Sequence, residues 1–324
     1  MGYLNWLLGL PKMATPTDNL LRYRPWRGEL RNPVFGSLAM ARVSLRLMFR
    51  RKLFWALYAL AAMVFFFFFY AQYLVVWLQL QAANQTVTFG GFRVQVTDLF
   101  KFLDKLNLNG SAHTFGNYIW FQGHVAMVLL AFAGSVLVGN DFQHGSLPFY
   151  LSKPIGRWHY VLGKALGAGG IITLLITGPS LLLFLQAGLL YNWKTYYTDH
   201  WREFLGILGY GLLLTAVLGL LLVATSIWLR KTVPLVMVWA GLFVLAPRLA
   251  TYFVDGQQFD VAWRLIDLWN DLYLLGLWML GADLDESRTG PQPPLWQAAL
   301  AVAFVTGVCL LYLRRRVQAV EIVS

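Results

Sequence analysis

Residues 53–80 read LFWALYALAAMVFFFFFYAQYLVVWLQL, a long apolar run without a charged side chain. A helix needs about 20 apolar residues to cross the hydrocarbon core of a bilayer, so this run predicts a transmembrane helix. Five further runs qualify in the same way, at about residues 118–138, 161–191, 204–229, 233–253 and 295–313. The sequence therefore predicts an all-α polytopic membrane protein with six transmembrane helices.

The composition agrees with this prediction. Of the 324 residues, 58% are hydrophobic and only 13% are charged, whereas an average soluble domain is about a quarter charged. These values exclude a soluble globular domain and an intrinsically disordered chain. A single cysteine excludes a disulfide-stabilised scaffold. The net charge of +11 is compatible with nucleic-acid binding in a soluble protein, but in a membrane protein it more often records orientation.

The distribution of charge predicts the orientation. The loops on one side, which include both termini, carry 18 Lys and Arg against 4 Asp and Glu, and the loops on the opposite side carry 8 against 11. Cytoplasmic loops are enriched in Lys and Arg, so we expect both termini in the cytoplasm of a multi-pass cell-membrane protein. No nucleic-acid partner is needed to explain the charge. We divide the chain into a cytoplasmic segment, 1–52, and a six-span transmembrane domain, 53–324, with external loops at 81–117 and 254–294.

A helix is also predicted before the first span. Leu38, Ala41, Leu45 and Met48 recur at helical spacing. A basic stripe accompanies them, formed by Arg42, Arg46 and Arg50. An amphipathic helix of this kind is typical of the cytoplasmic interface of a lipid bilayer. The alternative is a simple extension of span one.

Three other patterns carry structural expectations. Gly178-Pro179 lies inside the third run, where the missing amide hydrogen of Pro predicts a bend. Only residues 230–233 separate the fourth and fifth runs, so these spans form a tight antiparallel hairpin. Residues 264–280 are rich in Leu and Trp, and we expect them either to re-enter the membrane or to lie on its outer surface.

The loop at residues 139–160 is the most informative segment outside the spans. Several of its side chains are unusually apolar for a short exposed loop, among them Leu147, Phe149, Tyr150 and Leu151. Such a surface indicates a docking site for another protein. Arg157 begins the third span, where it can reach lipid phosphates or pair with Asp141.

This loop resembles the first cytoplasmic loop of the permeases of type-2 ABC exporters. That family shows an acidic residue, a Gly-Ser/Thr-Leu motif, a Pro, an Arg and then Gly-Lys. The matching residues here are Asp141, Gly145, Ser146, Leu147, Pro154, Arg157, Gly163 and Lys164. The six spans, the cytoplasmic termini and the helix before span one also resemble that family.

The resemblance implies a function. Residues 139–160 would form a coupling helix that contacts a separate ATPase subunit, with Asp141, Gly145, Ser146, Leu147, Tyr150, Leu151, Pro154 and Arg157 carrying the contact. The transporter would contain two such ATPases, and a second permease copy or homologue would face this chain. Substrate would move outward along spans one, two and five. ATP and Mg²⁺ would be bound by the partner, and this chain would hold no cofactor and no metal. Its substrate-binding residues are not indicated.

Two enzymatic functions are alternatives to the permease interpretation. A phosphate-binding loop requires G-x-x-x-x-G-K-S/T, and Gly163-Lys164 is followed by Ala165, so we expect no ATP hydrolysis by this chain. The remaining alternative is a polytopic membrane enzyme in which the external pair Asp267 and Asp271 holds a divalent metal.

Overall fold

A computed structural model describes residues 32–81, 86–89, 92–95, 107–143, 156–284 and 290–317. From Pro33 onward these residues belong to one compact unit, Pro33–Ser324.

Six helices in the described part are long and apolar enough to cross a membrane, as the sequence predicts. We call them spans one to six, and they cover Lys52–Gln81, Ala112–Gln143, Arg157–Leu190, Trp201–Leu229, Thr232–Gly256 and Leu295–Arg316. The predicted hairpin is present, because span four ends at Leu229 and span five begins at Thr232. Arg230 makes this reversal in the left-handed conformation, with φ at 54°.

Three spans contain π-helical segments. In span three the segment Thr173–Thr177 ends immediately before Gly178-Pro179, so the backbone is irregular where the sequence predicts a bend. Span two contains Ser135–Gly139, and span five contains Gly241–Leu245 and Tyr252–Gly256. Segments of this kind frequently occur at functional sites in helices.

Spans two, three and four form the centre of the bundle. In the most apolar window of span two 72% of the residues are buried, against 17% in span one and 22% in span five. Spans one and five therefore present most of their apolar surface outward.

The helix before span one covers Pro33–Phe49 and is called the leading helix here. The chain leaves the helical conformation at residues 50–51 before span one begins at Lys52. The leading helix packs along span three, where Gly163 allows close approach: a Cβ atom at this position would lie 2.9 Å from the Ser37 carbonyl oxygen. Ser37 also donates a hydrogen bond of 2.9 Å to the His159 carbonyl. The leading helix is thus a separate element and not an extension of span one.

On the leading helix Ser37 and Ser44 are buried together with Ala41 and Met48, whereas Leu38 is 51% exposed. Small residues allow helix backbones to approach closely, and here the serines of the leading helix pack opposite glycines of span three.

The stretch between spans five and six folds inward. It contains a 3₁₀ helix, Val261–Ile266, and an α-helix, Leu268–Leu280, which we call the inserted helix. Most of the inserted helix is buried against spans two, four and six. Between spans one and two, a short antiparallel hairpin pairs strand Thr86–Phe89 with strand Phe92–Gln95.

Candidate functional site

The two helices that flank the predicted coupling segment are joined by an ion pair. Lys164, two turns into span three, lies 2.7 Å from the Asp141 carboxylate at the end of span two. Tyr160 donates a hydrogen bond of 2.9 Å to the same carboxylate oxygen. Lys164 also donates to the Leu137 carbonyl. We call Asp141, Tyr160 and Lys164 the interspan clamp.

The clamp is largely shielded from solvent. The Lys164 and Asp141 side chains are only 7% and 14% exposed. At such a site a charge is stable only when it is paired, so the two residues hold the span ends in one relative position. Arg157, the other candidate partner of Asp141, is exposed. The position along the helix explains why Lys164 and not Arg157 pairs with Asp141. Lys164 lies seven residues, or two turns, beyond Arg157 on the same face of span three.

Of the predicted coupling residues, the structure places Asp141 and Arg157. The others (Gly145, Ser146, Leu147, Tyr150, Leu151 and Pro154) lie outside the described residues. In the sequence Lys164 is part of the Gly-Lys motif, and no sequence signal distinguishes it from Arg157 as the partner of Asp141.

The predicted basic stripe lies on the surface of the leading helix and the turn after it. Arg42, Arg46 and Arg50 are all exposed. They lie away from the face that contacts span three, which leaves their guanidinium groups available to anionic groups outside the bundle.

Two cavities lie between the spans that the resemblance assigns to the transport path. The first has a volume of about 230 Å³ and lies between the start of span one, the end of span two and Thr232 at the start of span five. The second, of about 140 Å³, lies between spans two and five, and its lining includes His124, Trp239 and Phe243.

His124 is the titratable side chain of the second cavity. Its Nδ1 atom contacts the Trp120 carbonyl at 2.7 Å. A carbonyl oxygen can only accept, so Nδ1 carries the hydrogen and Nε2 of the neutral ring is an acceptor. The imidazole also lies edge-on to Trp120 and Trp269. The ring is thereby held in one orientation.

The Asp267 and Asp271 carboxylates have different surroundings in the structure. Asp267 caps the inserted helix by accepting a hydrogen bond of 3.0 Å from the Asn270 amide. Asp271 is fully buried, and within the described part of the chain neither carboxylate oxygen has a hydrogen-bond partner. Burial, together with the smaller effect of the nearby Asp267 charge, raises the pKa of Asp271 to about 8. A carboxyl that is mainly protonated at pH 7 is a poor ligand for a divalent cation.

The enzyme alternative is therefore not favoured. No group of three or more His, Cys, Asp or Glu side chains that could hold a metal occurs in the described residues. Asp267 and Asp271 have structural roles as the cap and as a buried side chain of the inserted helix.

Comparison with known proteins assigns the family. No curated protein matches the sequence. A family model described as ABC-2 family transporter protein matches residues 38–257, well over half of the chain. The matched region includes residues 38–49 of the leading helix, spans one to five and the interspan clamp. The chain therefore belongs to the ABC-2 transporter family and is a multi-pass membrane permease of an ABC transporter.

Proposed function

We propose that this chain is the export permease of an ABC transporter and that residues 139–160 couple it to a separate ATPase. The interspan clamp is the observation that carries the proposal. It holds together the two helices from which the segment extends, so a force on that segment acts on both spans.

The leading helix extends this mechanical unit. It packs along the half of span three that contains the clamp, and its Ser37 hydroxyl is bonded to the His159 carbonyl next to Tyr160. Displacement of the segment therefore moves spans two and three together with the leading helix. This coupled movement changes the space between spans two and five, where the second cavity lies.

The remaining parts of the proposal rest on the charge pattern, the exposed spans and the family resemblance. The clamp end of the bundle faces the cytoplasm, because the basic loops lie there. Two ATPases bind and hydrolyse ATP with Mg²⁺. A second permease copy or homologue packs against the exposed faces of spans one and five, and substrate moves outward between the two permeases.

The test removes the apolar docking surface. A chain carrying Leu147→Asp, Tyr150→Asp and Leu151→Asp should insert into membranes normally, and after purification from native membranes it should carry no ATP-hydrolysing subunit. The measurement is the ATPase activity of the purified preparation together with its subunit composition. Charged residues at the centre of a docking groove cannot be desolvated, so complete loss of the partner is expected.

A matched control introduces three Asp residues at exposed apolar positions in the loop 254–294, which the sequence predicts to lie on the external side of the membrane. The positions are Phe259, Trp263 and Ile266. This control should retain the ATPase. Retention of the ATPase by the first variant would contradict the assignment of the coupling segment, and absence of an ATPase from the unmodified preparation would contradict the proposed function.

A further inference from the structure

The first cavity combines positive charge with an apolar wall. Arg51 and Lys52 contribute to its lining where the chain enters span one. Both side chains are exposed, and neither forms an ion pair with any residue that the structure describes. We call this space the basic cavity. Its two cations are available to an anion from outside the protein.

Hydroxyl groups provide a second polar feature of the basic cavity. Ser135, at the start of the π-helical segment of span two, lies 2.7 Å from Thr232 through their hydroxyl oxygens. Both residues line the cavity. The Ser135 hydroxyl also lies 3.4 Å from the Phe132 carbonyl oxygen. When Ser135 donates to Thr232, the Thr232 hydroxyl hydrogen can turn towards a bound oxygen atom. Thr232 also begins a helix, whose positive end favours a negative charge.

The rest of the basic cavity is apolar. Its wall includes Phe54, Leu57, Leu129 and Phe132. No acidic side chain occurs among its described lining residues. A small inorganic anion would leave this wall unused, whereas a molecule with an anionic head and a hydrocarbon chain would contact both parts.

The second cavity continues the apolar wall along span two. Phe132 lines both cavities, and the second cavity follows the same helix through Val128 to His124. Apart from His124, the described lining of the second cavity is hydrocarbon and aromatic. Polarity thus falls from the basic cavity towards the middle of the spans.

We propose that the basic cavity binds the phosphate head of an anionic membrane amphiphile while its hydrocarbon chain lies along span two past Phe132, and that this amphiphile class is the transported substrate. The assignment as substrate rests on the proposed function. Binding itself does not, because both cavities are formed by this chain alone. In the single chain the cavity is accessible from outside the bundle, since span one is mostly exposed.

The probe for the test is 1-oleoyl lysophosphatidate, which combines a phosphate head with a single chain. Native mass spectrometry of the purified chain in detergent measures its binding without an ATPase. We expect one molecule per chain to bind more tightly than lysophosphatidylcholine with the same oleoyl chain. Inorganic phosphate should not compete at equal concentration, because it lacks the hydrocarbon chain. Equal affinity for the two lysolipids, or full competition by phosphate, would overturn the proposal.

Two pairs of variants localise the site. Arg51→Gln with Lys52→Gln should weaken binding of the anionic lysolipid by about tenfold or more, because hydrogen bonds to charged groups are lost. Arg42→Gln with Arg46→Gln removes the same charge from the leading helix outside the cavity and should change binding by less than about twofold. Equal losses in both pairs would show nonspecific attraction to a basic surface and overturn the site.

A third variant tests the hydrocarbon path. Leu57→Trp narrows the basic cavity without changing its charge and should weaken both lysolipids. Full retention of binding by this variant would contradict the proposed position of the hydrocarbon chain. These binding measurements do not require the ATPase, so loss of the ATPase on purification does not change them. Failure of the amphiphile proposal is therefore distinguishable from failure of the proposed function.

Discussion

Replacement of Lys164 by Met tests the interspan clamp most directly. The substitution keeps a side chain of similar length and removes the ammonium group that pairs with Asp141 at 2.7 Å. Removing one partner of a buried ion pair costs about 3–5 kcal/mol, because the other charge is left without compensation. Asp141 would keep the Tyr160 hydroxyl and is 14% exposed, so we expect the lower end of this range, about 3 kcal/mol.

A double-mutant cycle separates the pair from the general effects of mutation. The cycle compares Lys164→Met, Asp141→Asn and the double variant by SDS-induced unfolding of the purified chain in mixed micelles. The double variant should be more stable than the sum of the single effects predicts, with a coupling free energy of about 2 kcal/mol. Arg157→Met removes an exposed cation from the same helix and should change the unfolding free energy by less than about 0.5 kcal/mol.

The reasoning would be refuted by a coupling free energy below about 0.5 kcal/mol, which is the level expected for independent sites. It would equally be refuted if Arg157→Met were as costly as Lys164→Met, because Arg157 would then be the functional partner of Asp141.

Two further predictions concern packing and protonation. Gly163→Ala should destabilise the fold by about 1–3 kcal/mol, because the added Cβ would press on the Ser37 carbonyl. The control is Gly307→Ala, whose added Cβ meets nothing within 4 Å and which should be neutral or stabilising. Equal effects of the two substitutions on the free energy of unfolding would contradict this packing. Asp271, with a pKa raised from 3.8 to about 8, binds its proton more tightly in the folded state. The free energy of unfolding should therefore decrease as the pH rises from 4 to 8, by up to about 1.4 kcal/mol per pH unit. Asp271→Asn should flatten this dependence in unfolding measured across that range, and an unchanged slope would show that another group is responsible.

The arrangement of the spans was predictable because it depends on local composition. A run of about 20 apolar residues must cross the bilayer regardless of its neighbours, since its backbone groups can be satisfied only within a helix. All six predicted runs therefore lie in helices, and span two extends from Ala112 to Gln143, beyond the predicted run 118–138. The hairpin at residues 230–231 follows in the same way, because two residues leave no room for any other connection.

The details of side-chain contact were less predictable. Hydrophobic periodicity does not single out Ser37 and Ser44 of the leading helix, yet both are buried, whereas Leu38 is 51% exposed. Between helices that both contact lipid, hydrophobicity does not decide which face packs, and small residues do. The same limit applies to Asp267 and Asp271, whose spacing is compatible with a metal site until burial and capping are known.

The sequence by itself determined the membrane class, the number of spans, the hairpin and the motif that identifies the family, because each depends on residues that are close together in the chain. The tertiary structure alone decided that Lys164 pairs with Asp141, that the stretch after span five packs inside the bundle, and that Arg51 and Lys52 border an apolar cavity. These features depend on the rotation and proximity of helices distant in sequence, which no local pattern encodes.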